Sequence, residues 1–238
     1  MGKTSISYND TISFLLGAID YEKISEYKYD SSSFNLNRME QLMDIVGNPH
    51  HGLKTVHIAG TKGKGSTSNM IAAILMGTGL KVGLFTSPHL INLEERIKIN
   101  GKDIPMYALS KVTDTLRPYV EKEREKDLYS SPTFFETLTA IALLYFKNED
   151  VDVAVMETGL GGRLDSTNII DPLVSVITRI EFDHTDKLGT TLTKIANEKA
   201  GIIKDNRPVV SSCQKDEVLR IINETCEKKN SNLRVVGR

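Results

Sequence analysis

An α/β fold, with a P-loop-type turn set in a mainly parallel sheet flanked by helices, is predicted for these 238 residues by three observations. Short apolar runs alternate with amphipathic segments from Thr55 to the end of the sequence. A glycine-rich turn, Ala59-Gly60-Thr61-Lys62-Gly63-Lys64-Gly65-Ser66-Thr67, separates one such run from one such segment. Polar residues close further runs: Ser87, which either turns the chain before Pro88 or sits beside that glycine-rich turn, and Glu157 and Asp183-His184, which could hold cations.

Taken in order, Asn9 or Asp10 can cap a first helix with Ile12, Leu15, Leu16 and Ile19 on its apolar face. Tyr21 to Ser33 reads as a loop. A second helix starts near Asn35, places Leu36, Met39, Leu42, Met43 and Val46 on one face, and stops at Gly47 and Pro49. His50 and His51 follow; adjacent side chains point apart, which favours solvated turn residues over a metal site. Thr55 to Ile58 is a strand, and Ser68 to Met76 a helix with Met70, Ile71, Ile74 and Leu75 on one side. The strand Lys81 to Thr86 completes a βαβ unit, whose crossover should be right-handed. Glu94 to Lys102 alternates and turns, as a small edge hairpin does. Pro105 to Leu128 is a long helix with Leu109, Val112, Leu116, Tyr119 and Val120 inside; its tail is a solvated charge run.

A further helix opens at Thr133 and packs through Leu138, Ile141, Leu144 and Tyr145. Its two leading aromatics, Phe134 and Phe135, suit either the core or contact with a flat ring. Strands follow at Asp152–Met156, ending on Glu157, and at Pro172–Thr178, leading to Asp183-His184-Thr185. Ile195, Ala196, Lys199 and Ala200 lie on a helix capped near Thr193 and closed by Gly201. Lys199 there is an ordinary lysine with its stem on apolar surface, or a site residue. Pro208–Ser211 is a strand, Glu217–Lys229 a helix through Val218, Ile221 and Ile222, and Leu233–Val236 a last strand. Residues 1–50 thus form a helical N-terminal segment and residues 54–238 an α/β core.

Composition narrows the function. Hydrophobic content of 39% and charged content of 26% fit an ordinary buried core. A net charge of −1 argues against nucleic acid or an anionic membrane as the main partner, so any phosphate must be held locally. Cys213 and Cys226 have neither metal-ligand spacing nor a disulfide framework. Met1 to Ile6 lacks the apolar core of a signal, and no run reaches the ~18 apolar residues of a membrane span. A cytoplasmic protein is the expectation.

The glycine turn has the context of a phosphate loop: strand before, helix after. Its glycines let backbone N–H groups approach an anion, and the helix start adds a positive dipole end. Lys64 can meet the outer phosphates, and Ser66 or Thr67 a phosphate or its magnesium. Gly65 stands where the strict pattern requires Ser or Thr, so that pattern fails by one residue. A carboxylate at a strand end, here Glu157, is where such sites hold magnesium. At the next strand end a neutral imidazole or a carboxylate could ligate a second cation.

In order, the motifs Gly60-Thr61-Lys62-Gly63-Lys64-Gly65-Ser66, Thr86-Ser87-Pro88-His89, Glu157 with Gly159-Leu160-Gly161-Gly162-Arg163-Leu164-Asp165, Asp183-His184-Thr185 and Glu198-Lys199-Ala200-Gly201 resemble the folylpolyglutamate synthase/dihydrofolate synthase family of the Mur ligase superfamily. The resemblance covers about residues 35 to 210; Lys62 departs from it, since the family more often has Asn there. It implies ATP held by Gly60, Thr61, Lys62, Gly63, Lys64, Gly65 and Ser66. It implies Mg2+ held by Ser87, Glu157, His184 and Lys199 as a carbamate, with Lys64, Glu157, His184 and Lys199 the catalytic set. Thr133, Phe134, Phe135, Glu136, Leu164, Asp165 and Ser166 would meet the pterin-bearing substrate, and the loop before Asn35–Arg38 is a weaker candidate for that role. The implied reaction joins L-glutamate to folate or dihydropteroate through an acyl phosphate, in a monomer, with no nucleic acid or membrane partner. The family carries a second, smaller α/β domain that binds glutamate. The sequence stops about where that domain should begin, so the expectation is the ATPase domain alone, turning over poorly. A nucleotide-binding module without ligase chemistry and a cell-wall amino-acid ligase are the alternatives.

Overall fold

The computed structural model describes residues 7–24, 27, 29–30, 33–129 and 131–237. Met1 to Ile6, read above for a signal, lie outside these residues, as does part of the 21–33 loop. The elements run α1 (Tyr8–Leu16), α2 (Leu36–Ile45), β1 (Thr55–Ala59), α3 (Lys64–Gly77), β2 (Val82–Phe85), β3 (Ile97–Ile99), β4 (Lys102–Asp103), α4 (Met106–Lys126), α5 (Phe134–Asn148), β5 (Val153–Glu157), β6 (Val174–Ile177), α6 (Thr185–Leu188), α7 (Leu192–Ala200), β7 (Val209–Ser212), α8 (Asp216–Lys228) and β8 (Leu233–Val236). Among the described residues eight strands form one sheet in the order β4-β3-β2-β5-β1-β6-β7-β8. From β2 to β8 in that order neighbours are parallel; β3 and β4 form the antiparallel edge hairpin.

The glycine turn therefore leaves the sheet from its middle. β1 lies between β5, with Ile58 opposite Glu157, and β6, with Ala59 opposite Ile177. All five residues of β1 and of β5 are buried, as strands covered on both faces must be. On one face α5, apolar nearly all round, fills the space between the sheet and α1, α2 and α4, in a core containing Phe85, Leu138, Ile141 and Met156. Beside it α7 and α8 cover Ile177 and Val209. On the other face α3 covers Val56, Ile58, Val82, Leu84, Val153 and Val155. Among the described residues no helix is long and apolar enough to cross a membrane.

Several local expectations are corrected. Ser7, not Asn9 or Asp10, caps α1: its hydroxyl accepts from the Asp10 amide and the Asp10 carboxylate accepts from the Ser7 amide. The buried face of α1 is Thr11, Phe14 and Leu15, with Leu16 exposed. α3 begins at Lys64, four positions earlier than the apolar pattern suggested, because Gly63 in the left-handed region starts the helix inside the turn. Its inward residues are Ser68 and Ala72 with Ile71, Leu75 and Met76; Met70 and Ile74 face outward. Starting the helix on glycine rotates the face that an apolar count alone would choose. The rings of His50 and His51 do not point apart but lie 4.3 Å from each other, and His50 is half-buried. Burial, then the neighbouring His51, pulls His50 down to about 4. Among the described residues no three of His, Cys, Asp and Glu cluster as metal ligands.

Candidate active site

Gly60 follows β1 with φ at +151°, and a Cβ there would lie 1.9 Å from Thr178 Oγ1. Close approach to β6 is what requires glycine here. We expect Gly60→Ala to cost about 2–3 kcal/mol, with Thr178→Ala relieving part of it; thermal unfolding of the single and double variants measures both.

The next two residues are tied to the same neighbour. The Thr61 and Lys62 amides donate to Arg179 O at 2.9 and 3.1 Å, and the Thr61 hydroxyl donates to Glu181 O at 3.1 Å. These two amides are thus occupied, and the anion-binding part of the turn is its second half. There the amides of Lys64, Gly65 and Ser66 open α3 without intrahelical partners. Lys62 and Ser66 are exposed at the rim.

Glu157 closes β5 and is 3% exposed. Its Oε2 accepts from the Ser87 amide at 3.4 Å, and a Cβ added at Gly65 would sit 3.4 Å from the same oxygen. Gly65, the departure from the strict loop pattern, is where the loop faces this carboxylate. Burial raises the Glu157 carboxyl to about 7, against the lowering effects of Lys64 and the Ser87 amide. Such a carboxylate, short of positive charge beside a phosphate loop, fits a divalent cation. Lys199, 3% exposed on α7, donates to Gly60 O at 2.7 Å beneath the loop. Burial first, then Lys64, lowers its ammonium to about 7, so much of it is a neutral amine near neutral pH. His184, left-handed at the start of α6, is half exposed, with Nε2 3.8 Å from Asp183 Oδ1. Among the described residues, then, the set is not a closed metal cage.

A cavity of about 740 Å³ joins these groups to the other expected site residues. Lys64, Ser87 and His184 line it, as do Thr133, Phe134, Phe135, Glu136, Leu164, Asp165 and Ser166. Glu157 lies behind that wall and Lys199, on α7, below the loop, so Lys64, Ser87, Glu157, His184 and Lys199 lie in one region at different depths.

Several of the expected substrate contacts are engaged within the chain itself. Both oxygens of Glu136 accept from Arg38, at 2.8 Å each, and Oε2 also accepts from the Thr133 amide. Asp165 receives the Gly159 and Leu160 amides on Oδ2 and the Thr167 amide and hydroxyl on Oδ1. These two carboxylates shape the wall through their own chain. Phe134 is 1% exposed and belongs to the core, under the Arg96 guanidinium at 5.4 Å. Phe135 is half-buried against Gly159, where a Cβ would come within 2.6 Å of its ring, and offers a flat face to the cavity.

The sequence pattern missed Arg96, one of the most buried long side chains. It holds Glu22 through Nη1 and Nη2 and donates from Nε to His89 Nδ1, tying the loops after α1 and β2 together. Its place in an alternating, charged stretch disguised it as an edge residue. Tyr21, Tyr27 and Phe34 stack on one another and close the cavity from the N-terminal side.

Comparison with known proteins gives a consistent picture. The family described as the Mur ligase middle domain matches residues 58–238. The dihydrofolate synthase/folylpolyglutamate synthase of Bacillus subtilis (strain 168) is 44% identical over 194 residues, covering 81% of this chain and 45% of that protein. The folylpolyglutamate synthase of Lacticaseibacillus casei is 39% identical over 206 residues, covering 87% and 46%. Among solved structures, an FPGS–AMPPCP–folate complex superposes with a TM-score of 0.89 at 35% identity, over 98% of this chain and 55% of that one. Mycobacterium tuberculosis folylpolyglutamate synthase complexed with ADP gives 0.82 at 35% identity, over 95% and 51%. The chain thus spans about half the length of the relatives it matches.

Proposed function

The chain belongs to the folylpolyglutamate synthase/dihydrofolate synthase family of Mur ligases, and on that premise we propose that it forms the ATP-binding part of a ligase joining L-glutamate to folate, dihydropteroate or both. The observation that carries the reading is the cavity in which Lys64 and the start of α3 face Phe135 and the Leu164–Ser166 wall. A phosphate tail and a flat ring substrate would meet there.

In this reading the substrate carboxylate oxygen attacks the γ-phosphorus of ATP. A phosphorus–oxygen bond forms as the bond to the ADP oxygen breaks, leaving an acyl phosphate. The glutamate amine then attacks the acyl carbon and phosphate departs with the electron pair, while the amine loses a proton. Magnesium, held by Ser87, Glu157 and His184, would neutralise charge between the two anions. The Lys64 ammonium adds positive charge at the outer phosphates, and the Lys64–Ser66 amides fix their position. The wall of Gly159, Leu160 and Phe135 keeps the substrate carboxylate in line and excludes water. The neutral fraction of Lys199 is the form that reacts with carbon dioxide, and a carbamate there would supply a further anion for a cation beside the loop.

The test is release of ADP by the intact gene product with ATP and magnesium. It should require both glutamate and a folate or dihydropteroate. Nucleotide binding without that double dependence would identify a binding module instead.

A further inference from the structure

β1 carries a histidine in the middle of the sheet. His57 is fully buried, and its Nε2 lies 2.8 Å from Thr167 Oγ1. Thr167 Oγ1 is in turn 2.5 Å from Asp165 Oδ1, which also accepts the Thr167 amide at 3.0 Å. The other Asp165 oxygen accepts the Gly159 and Leu160 amides at 2.9 Å each. Three backbone amides converge on it and hold it as an acceptor, against burial, which pushes the carboxyl up. The Thr167 hydroxyl proton therefore points at Asp165, and the hydroxyl oxygen accepts from His57 Nε2–H. Only one tautomer satisfies this chain: proton on Nε2, bare Nδ1. Nδ1 is buried and has no hydrogen-bond partner, so a proton placed there would be an unmet donor.

We propose that His57 is a positioning residue: through Thr167 it fixes Asp165, and through Asp165 it holds the Gly159–Leu160 turn as one wall of the substrate cavity. Gly159, Leu160, Asp165 and Ser166 line that cavity; His57 does not. The 3-10 turn Ser166–Ile169 has two further anchors. Ser166 Oγ lies 2.7 Å from Thr139 Oγ1, and the Asn168 amide nitrogen donates to Arg163 O and Gly201 O. Without the imidazole, the Thr167 hydroxyl keeps its bond to Asp165 but loses the donor that sets its rotamer. The wall then loosens on the side facing the ring substrate. The phosphate loop, held by Arg179 and Glu181, depends on other bonds.

The inference rests on the reading that this wall meets the pteroate part of the substrate. Its test uses the intact protein, with folate and the ATP analogue AMPPCP as probes, comparing His57→Gln, His57→Leu and wild type. Gln can place an N–H donor near the position of Nε2; Leu cannot. The expected result is folate affinity within about twofold of wild type for Gln and about tenfold weaker for Leu, with AMPPCP changed less than about twofold in both. A general packing defect would weaken both probes, or leave Gln no better than Leu; either result overturns the proposal. Nitrogen-15 spectra of wild type should show a neutral His57, protonated on Nε2, throughout pH 5 to 8. A proton on Nδ1 also overturns the relay, even if His57→Leu fails to fold. If wild type binds no folate or dihydropteroate, the functional reading fails instead. The tautomer, and the shift of the Gly159 and Leu160 amides in His57→Gln against His57→Leu, still decide the relay.

Discussion

Glu157→Gln should lower ligase turnover by about 10²–10³-fold while leaving the unfolding midpoint at or above that of wild type. Gln keeps the shape of the side chain and an acceptor for the Ser87 amide, and removes only the charge. That charge is costly to the apo fold, because burial has already raised the carboxyl to about 7. In the proposed function it is useful, because a cation and phosphates would gather in front of Gly65 and Ser87. A residue kept for stability gives the opposite pair of results: a lower midpoint and near-normal turnover. Measuring kcat and thermal unfolding on one preparation separates the two.

Arg38→Ala should destabilise the protein by about 3–5 kcal/mol, the typical cost of leaving a buried charge unpaired. The side chains of Arg38 and Glu136 are 8% and 6% exposed. The guanidinium meets both carboxylate oxygens at 2.8 Å and also donates to Ser33 O. Removing Arg38 strands Glu136 inside the junction of α2 and α5. The double variant Arg38→Met with Glu136→Leu should recover much of the loss, because two apolar side chains leave no charge behind. Recovery stays partial, since the Glu136 carboxylate also caps α5 by accepting the Thr133 amide. Urea unfolding of the two variants measures both quantities, and a single variant within about 1 kcal/mol of wild type would show that water reaches the pair.

Much of this was legible in the residues because it follows local rules. The strand, glycine turn and helix around Lys64 announce themselves by composition, as does an acid at the end of an apolar run such as Glu157. Parallel topology sends strand ends to one edge, which accounts for Lys64, Ser87 and Glu157 lying on the same side of the sheet; the strand order, with β5 between β1 and β2, left no such mark. Pairings between distant elements left no such mark. Arg38 with Glu136, Arg96 with Glu22, and His57 with Thr167 are each separated by more than 70 positions. In each, polar residues look like surface or strand residues until tertiary packing buries them. The same blindness misassigned the outer face of α3: counting apolar residues cannot tell that a sheet accepts Ala72 and turns Met70 and Ile74 away.

In the proposed function one cavity brings the phosphate tail of ATP against the carboxylate of a pteroate substrate. The most direct test labels both carboxylate oxygens of that substrate with oxygen-18 and follows the phosphate released by the intact gene product during glutamate ligation. Attack of the carboxylate on the γ-phosphate transfers one labelled oxygen to each phosphate. Phosphate without label, formed at the same rate as amide, would contradict attack by the carboxylate.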